Sequence, residues 1–247
     1  MSERKPLGGK AYGSIGHLPC SRMGPADHHV HPGQAAICIE KSRDRHDRII
    51  VTEKVDGACV SVANVDGQIV ALIRAGYTAE TAHYEHLRIF GRWVDGRREQ
   101  FLDVLAPGER LVGEWMALAH GTVYRVLPHD PWVIFDAFRG GVRMTFDEVL
   151  ERASVLRLAS VPVLSDGPAF RVEDALSACG ETGAFGAEGG PEGVVYRVER
   201  KGKVDFLAKY VRPDKADGAF LPEISGQGPV WHRNFVPLAE ATNDHRS

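Results

Sequence analysis

The 247-residue chain contains no apolar run approaching the ~20 residues that a membrane-crossing helix needs. Its N-terminus, MSERKPLGGKAYG, lacks the apolar core of a signal peptide, so the cytoplasm is the expected compartment. Cysteine is scarce: Cys20, Cys38, Cys59 and Cys179, with no C-x-x-C spacing. That argues against a zinc ribbon and against a disulfide framework. There is no basic excess either. The formal net charge of −3 disfavours a module whose only task is holding nucleic acid, although it allows a local basic groove. Neither an internal repeat nor a low-complexity tract is present.

What remains is an ordinary globular composition, 43% hydrophobic and 26% charged, long enough to bury a real core. Residues 1–36 are rich in Gly, Pro and His and read as an irregular leader. From about residue 48 the pattern turns strand-rich. RIIVTEK is a short apolar run. ACVSVANVDGQIVALIRA is two alternating runs joined at Asp66-Gly67, a hairpin signal. Residues 82–105 read as helical, with Leu87, Phe90, Trp93 and Val94 at helical spacing. ERLVGEWMA and PWVIFDAF read as strands. Thr145 to Glu148 fits a capping box before an amphipathic helix. A further helix is expected over 172–180, then a last hairpin turning at Lys201-Gly202. The expectation is a single α+β domain over 1–247, antiparallel strands with helices between them, and a short extension at 213–247.

The chemistry centres on VTEKVDG. Lys54 closes an apolar run and opens a turn. Partial desolvation near other cations favours a neutral, nucleophilic amine. Asp56, two residues on, is expected on the same face, and Gly57 removes a side chain where backbone or ligand approaches closely. Arg74 ends the hairpin. Glu114 in LVGEW, Phe135 in WVIFDAF, Glu192 before GVVY and Lys209 in DFLAKYV recur along the chain. Four of these segments are apolar strands that each carry a charged residue. Charge in such strands is costly unless paired or used, so a polar cleft lined by strand faces is expected.

This ordered set resembles the covalent nucleotidyltransferase superfamily of ATP-dependent DNA ligases, RNA ligases and mRNA capping enzymes. Lys54-Val55-Asp56-Gly57 looks like its nucleophile motif, and LVGEW, WVIFDAF, EGVVY and DFLAKYV look like the later motifs, in order. GSIGHLPCSR, RDRHDRIIVTEKVDG, GEWMALAHGTVY and LAKYVRPDK are similar to a bacterial and phage RNA ligase family. The resemblance covers about residues 50–212 and places the early Gly, His and Arg residues within the domain.

The resemblance implies an ATP-grasp-like ligase adenylation fold, with the nucleotide cleft between antiparallel sheets flanked by helices. It implies an ATP-dependent RNA ligase that forms lysyl-AMP on Lys54, passes AMP to an RNA 5′-phosphate and joins it to a 3′-hydroxyl in RNA repair. On that reading Lys209 contacts the α-phosphate and helps keep Lys54 neutral. Glu114 and Glu192 serve the ribose or hold Mg2+ or Mn2+, directly or through water. Arg74 lies near the nucleotide and the RNA end. Phe135 stacks on adenine, with Phe138 as the alternative. Glu53 neighbours adenine, Gly57 belongs to the nucleotide pocket, and Asp56 lies near the ribose or the Lys54 ammonium. Two positions depart from the pattern: Cys59 stands where related sequences carry asparagine, and Leu207 where a first lysine often precedes Lys209. On that reading a triphosphate contact is either missing or supplied by Arg212 or Lys215. The short C-terminus leaves room for an end-healing or RNA-gripping protein partner.

Weaker signals have plainer readings beside them. Asp27-His28-His29-Val30-His31 is read as a polar loop near the site in preference to a zinc site. His120 is read as part of a structural or nucleotide-proximal loop. Arg88, Arg92, Arg97 and Arg98 are read as a solvated helix face in preference to phosphate contacts. The rival functions are a DNA-nick ligase, a capping-type guanylyltransferase, and a non-catalytic nucleotide- or RNA-binding module.

Overall fold

The structure, a computed structural model, describes residues 5–232. Residues 1–4, and the part of the expected C-terminal extension beyond 232, lie outside the described residues.

Ten strands form two five-stranded sheets. The first contains β1 (Gly16–His17), β2 (Asp47–Lys54), β8 (Val163–Gly167), β9 (Gly193–Arg200) and β10 (Lys203–Val211), in the order β1-β10-β9-β2-β8. The second contains β3 (Ala58–Val65), β4 (Gln68–Ile73), β5 (Glu109–Trp115), β6 (Trp132–Arg139) and β7 (Val142–Arg143), in the order β4-β3-β5-β6-β7. The pairings are antiparallel except for β1, which runs parallel to β10. Both expected hairpin turns form. Asp66 (φ 52°) and Gly67 (φ 87°) join β3 to β4, and Lys201 (φ 52°) and Gly202 (φ 72°) join β9 to β10. Two consecutive positive φ values match the right-handed twist of the flanking strands.

The helices are α1 (Pro32–Ile39), α2 (Glu85–Asp95), α3 (Arg98–Val104), α4 (Phe146–Val155), α5 (Val172–Cys179) and α6 (Pro222–Ser225). The expected helix over 82–105 is two helices, broken at Gly96-Arg97. Thr145 accepts from Glu148 N–H and the Glu148 carboxylate accepts from Thr145 N–H, so the capping box is real. The expected irregular leader is corrected. It contains β1 and the start of α1, which is capped by His31 and Gln34. Histidine at a cap and a two-residue strand leave no periodic signal, so composition alone reads them as loop.

Strand alternation sorts the side chains. In β2, Ile49 and Val51 join a core with α1 and α5, whereas Ile50 faces the core shared with the second sheet. Phe90, Trp93, Phe101, Trp115 and Trp132 pack edge-to-face against one another on that side, with Trp115 and Trp132 fully buried. The two sheets are also joined by charge. Arg197 of β9 donates to the Asp136 carboxylate of β6 at 3.1 Å, and Arg143 meets the other Asp136 oxygen at 2.8 Å. Arg197 further bonds Glu199 and the Met144 carbonyl, which uses all three of its nitrogens. Among the described residues no helix is long and apolar enough to cross a membrane.

Asp136 is fully buried. Removing one member of a buried pair strands the other's charge. Asp136→Ala is therefore expected to lower stability by about 3–5 kcal/mol, read by urea unfolding, whereas a loss below ~1 kcal/mol would show the cross-sheet bridge to be dispensable.

Candidate active site

Lys54 is the last residue of β2 and Ala58 the first of β3, so Val55-Asp56-Gly57 carries the chain from one sheet to the other. Gly57 has a steric reason. A Cβ there would lie 2.6 Å from the Trp115 carbonyl oxygen and 3.3 Å from Glu114 Cγ. With hydrogen at this position the crossover closes on β5, and Gly57 N–H bonds the Glu114 carboxylate. The strand end of one sheet is thereby pressed against the functional strand of the other.

The result is a cleft between the sheets. Lys54, Lys209 and Leu207 come from the first sheet, and Glu114, Cys59 and Phe135 from the second. Arg74, just past β4, stands at the same wall. Glu192 immediately precedes β9, and its Oε2 accepts from Lys54 Nζ at 2.5 Å. Gly193 is the register partner of Lys54, which fixes Glu192 beside the ammonium.

The electrostatics correct the expectation of a neutral Lys54. Burial alone would push its pKa down, but Glu192, Glu114 and Asp56 together hold it well above the ordinary lysine range. Lys209 is the amine that is lowered, by burial and by the charge on Lys54. The carboxyls pay for the shared site: burial pushes Glu192 up, and pushes Glu114 up to about 8, against the opposing pull of Lys54.

Other expected residues divide. Phe135 faces the cleft with Tyr12 edge-on at 5.3 Å. Phe138 is turned away: it is buried, and the Arg110 guanidinium covers its ring 3.9 Å from the centroid. Glu53 contributes to the wall, but its carboxylate accepts from Ala184 N–H at 2.9 Å. Strand alternation puts that side chain on the face opposite Lys54. Asp56 lies beyond the strand end, so the i, i+2 argument fails. Its carboxylate accepts from Gly121 N–H at 2.7 Å, and its own N–H donates to the Tyr124 hydroxyl. It ties the crossover to the 117–124 loop and acts on Lys54 through its charge. His120 belongs to that same loop, packed edge-on to His86.

Cys59 lies opposite Glu114 in the ladder, and burial pushes its thiol up, which makes it inert rather than reactive. Arg212 is held by Asp214 and Lys215 by the Gly190 carbonyl. The four arginines of the helical segment are engaged by Glu85, Asp130 and Asp95, which supports the solvated-face reading for Arg88, Arg92 and Arg98. Among the described residues there is no cluster of three or more His, Cys, Asp or Glu side chains that could hold a metal. Sequence reasoning missed Tyr12, Gly13 and Ile15, which the N-terminal segment lays along the cleft. Their only signal was the upstream resemblance. It also missed Arg197 at the cleft base, a buried arginine in the apolar run GVVYRVE.

Two packed, largely antiparallel sheets, with a lysine at the crossover and carboxylates from both sheets around it, form an α+β domain that shares its fold with solved RNA ligases. The RNA ligase family model matches residues 47–211, and the chain belongs to that family. An archaeal ATP-dependent RNA ligase aligns with a TM-score of 0.51 at 20% identity, over 81% of this chain and 48% of its own. A Naegleria gruberi RNA ligase variant with ATP and Mn gives 0.50 at 19% identity, over 68% and 51%. The same organism's RNA ligase with pyrophosphate gives 0.50 at 20%, over 74% and 53%. At these identities the likeness is one of fold. The chain spans about half the length of these solved structures. The search of curated proteins returned no match.

The Glu114 shift has a measurable sign. Folded Glu114 keeps its proton to about pH 8, whereas an unfolded glutamate releases it near ~4.3. Folding takes up a proton between those values, so this group's contribution shrinks as pH rises through the window. In chelator-treated buffer, wild-type stability relative to Glu114→Gln should fall from pH 4.5 to pH 8 by at least about 1 kcal/mol. Parallel pH profiles of the two proteins would refute the shift.

Proposed function

We propose that this chain is an ATP-dependent RNA ligase, a phosphodiester-forming nucleotidyltransferase that carries AMP on Lys54. The observation behind this reading is the 2.5 Å contact between Lys54 Nζ and Glu192 Oε2, at the sheet crossover and inside a cleft that also holds Glu114, Lys209 and Arg74. An ammonium is no nucleophile. Glu192, already hydrogen-bonded and raised in pKa by burial, is placed to take its proton.

The neutral Nζ then attacks the α-phosphorus of ATP. An N–P bond forms, the bond from that phosphorus to the oxygen bridging to the β-phosphate breaks, pyrophosphate departs, and the remaining extra proton on nitrogen passes to solvent. An oxygen of an RNA 5′-phosphate next attacks the same phosphorus, the N–P bond breaks as its nitrogen takes up a proton, and the lysine is returned as an amine. A 3′-hydroxyl oxygen finally attacks the activated 5′-phosphate, loses its proton and expels AMP. In each displacement the protein's work is alignment and charge neutralisation. Lys209 and Arg74 offer positive charge to the phosphates, and Phe135 offers a ring face to adenine.

Glu114 and Glu192 are a hard-oxygen pair that suits Mg2+ or Mn2+, ions that keep waters and phosphate oxygens as further ligands. Bound there, such an ion would neutralise phosphate charge and weaken the hold of the carboxylates on the Lys54 proton. The RNA acceptor, a role in RNA repair, a cytoplasmic location and an end-healing or RNA-gripping protein partner belong to the same proposal.

Intact mass after incubation with ATP and magnesium tests it. The wild type should gain the mass of one AMP, and Lys54→Ala should gain none. Label from that adduct should pass to RNA ends in preference to DNA ends. Absence of an adduct with ATP, GTP or manganese, in protein shown to carry no AMP beforehand, would move the reading to a non-catalytic module. An adduct formed with GTP alone would indicate a capping-type reaction.

A further inference from the structure

The segment GSIGHLPCSR builds a support for one cleft residue. We propose that Asp27, held by Gly24 N–H beside the His17 ring, is the positioning residue for the Lys209 ammonium. The inference rests on the ligase reading of the cleft and deepens it.

β1 adds to the edge of β10 with His17 in register with Lys209, so the ring and the lysine share one sheet face. The chain then leaves the sheet and returns: Val30 N–H donates to the His17 carbonyl, and His17 N–H to the His28 carbonyl. Gly16 permits that return, because a Cβ there would meet Val30 Cγ1 at 2.7 Å. The loop so closed delivers Asp27. Its Oδ1 lies 3.7 Å from Lys209 Nζ, and its Oδ2 accepts from Gly24 N–H at 2.9 Å and lies 3.2 Å from His17 Nε2. Among the described residues, Asp27 is the only carboxylate within ion-pair distance of Lys209.

The imidazole is fixed from its other side. Ser21 Oγ is 2.6 Å from His17 Nδ1 and accepts from Val211 N–H. Burial keeps the 1%-exposed ring neutral, so it has one proton to place. Ser21 Oγ holds the ring at Nδ1, and Nε2 stands 3.2 Å from Asp27 Oδ2, a close contact without hydrogen-bond alignment. Asp27 is thus held by the Gly24 N–H bond and packed beside a fixed ring. Lys209 needs this because its flexible four-carbon stem ends near Lys54 and Arg74, both of which repel it. Without Asp27 the ammonium is free to swing from the α-phosphate, and misplacement by about 1 Å can cost about 10²-fold in rate.

The test combines single-turnover lysyl-AMP formation with a readout that needs no catalysis. Asp27→Asn keeps the shape and the Gly24 contact but removes the charge. It should slow adenylylation about 10- to 100-fold, with a smaller change in ATP affinity. In the Lys209→Ala background the same change should cost almost nothing further, since both act through one ammonium. Ser21→Ala, which leaves both charges in place, should give a smaller loss in the same direction. Independently, lysine 13Cε NMR without nucleotide should show Lys209 titrating at lower pH in Asp27→Asn than in the wild type, because a carboxylate favours the ammonium. Additive losses in the double variant, or wild-type rates in both single variants, would overturn the positioning role. An unchanged Lys209 titration would overturn the contact itself. If the wild type forms no lysyl-AMP, the ligase reading fails, and the NMR comparison still decides the contact.

Discussion

The site depends on the chain's passage from one sheet to the other at Val55-Asp56-Gly57. The passage is tight because Gly57 abuts the Trp115 carbonyl. It sets the Lys54 end of β2 against Glu114 of β5, residues far apart in sequence and on different sheets. The β2–β9 register then brings Glu192 to the same amine. The surrounding bonds serve this passage. Asp56 is tied to Gly121 and Tyr124, and Tyr124 N–H donates to His232, whose other ring nitrogen meets the Met116 carbonyl. His232 accepts through Nε2, so its Nδ1 holds the proton and donates to Met116. The described part of the segment after β10 thus braces the 116–124 loop from behind, and is structural rather than appended.

Crowding charge into this cleft has a logic that single motifs hide. A lone buried lysine would shed its proton, and a lone buried carboxylate would keep one. Together they settle with Lys54 charged and both glutamates raised. Such a site is poised rather than active. On the ligase reading, a positive charge that engaged the glutamates would relax their hold on the ammonium, so arrival of the substrate's counter-ions would also release the nucleophile. Lys209 is lowered by burial and by the charge on Lys54, and its carboxylate neighbour is Asp27, 3.7 Å away.

Much of this was legible in the sequence because it was periodic or punctuated. The Asp66-Gly67 and Lys201-Gly202 turns, the Thr145 cap and the charged residues set in apolar strands all carry local signals, and each stands where expected. The errors have a common form. Asp56 was placed on the Lys54 face by the i, i+2 rule of strands. A strand turns neighbours to opposite faces, and a strand that has ended imposes no face at all. Phe138 was placed by nearness to Phe135, yet an arginine from the adjacent strand covers it. The protonation of Lys54 was unreadable because it is a sum over residues on two sheets. Tyr12 carried no local signal, because irregular backbone reaches its partners by shape, whereas the 27–31 stretch is read as a polar loop near the site, and Asp27 stands 3.7 Å from Lys209.

Irregular backbone around a regular scaffold also explains the distribution of stability and function. The two sheets are locked at the cleft base by Arg197 and Asp136, a bridge in which each Arg197 nitrogen already has a protein partner. Toward the cleft's open end, Lys54 and Lys209 each meet one carboxylate, Glu192 and Asp27. On the ligase reading, a rigid base with two anchored amines above it would suit successive displacements at phosphorus, because each would need the same two amines in the same place while the anion between them changed.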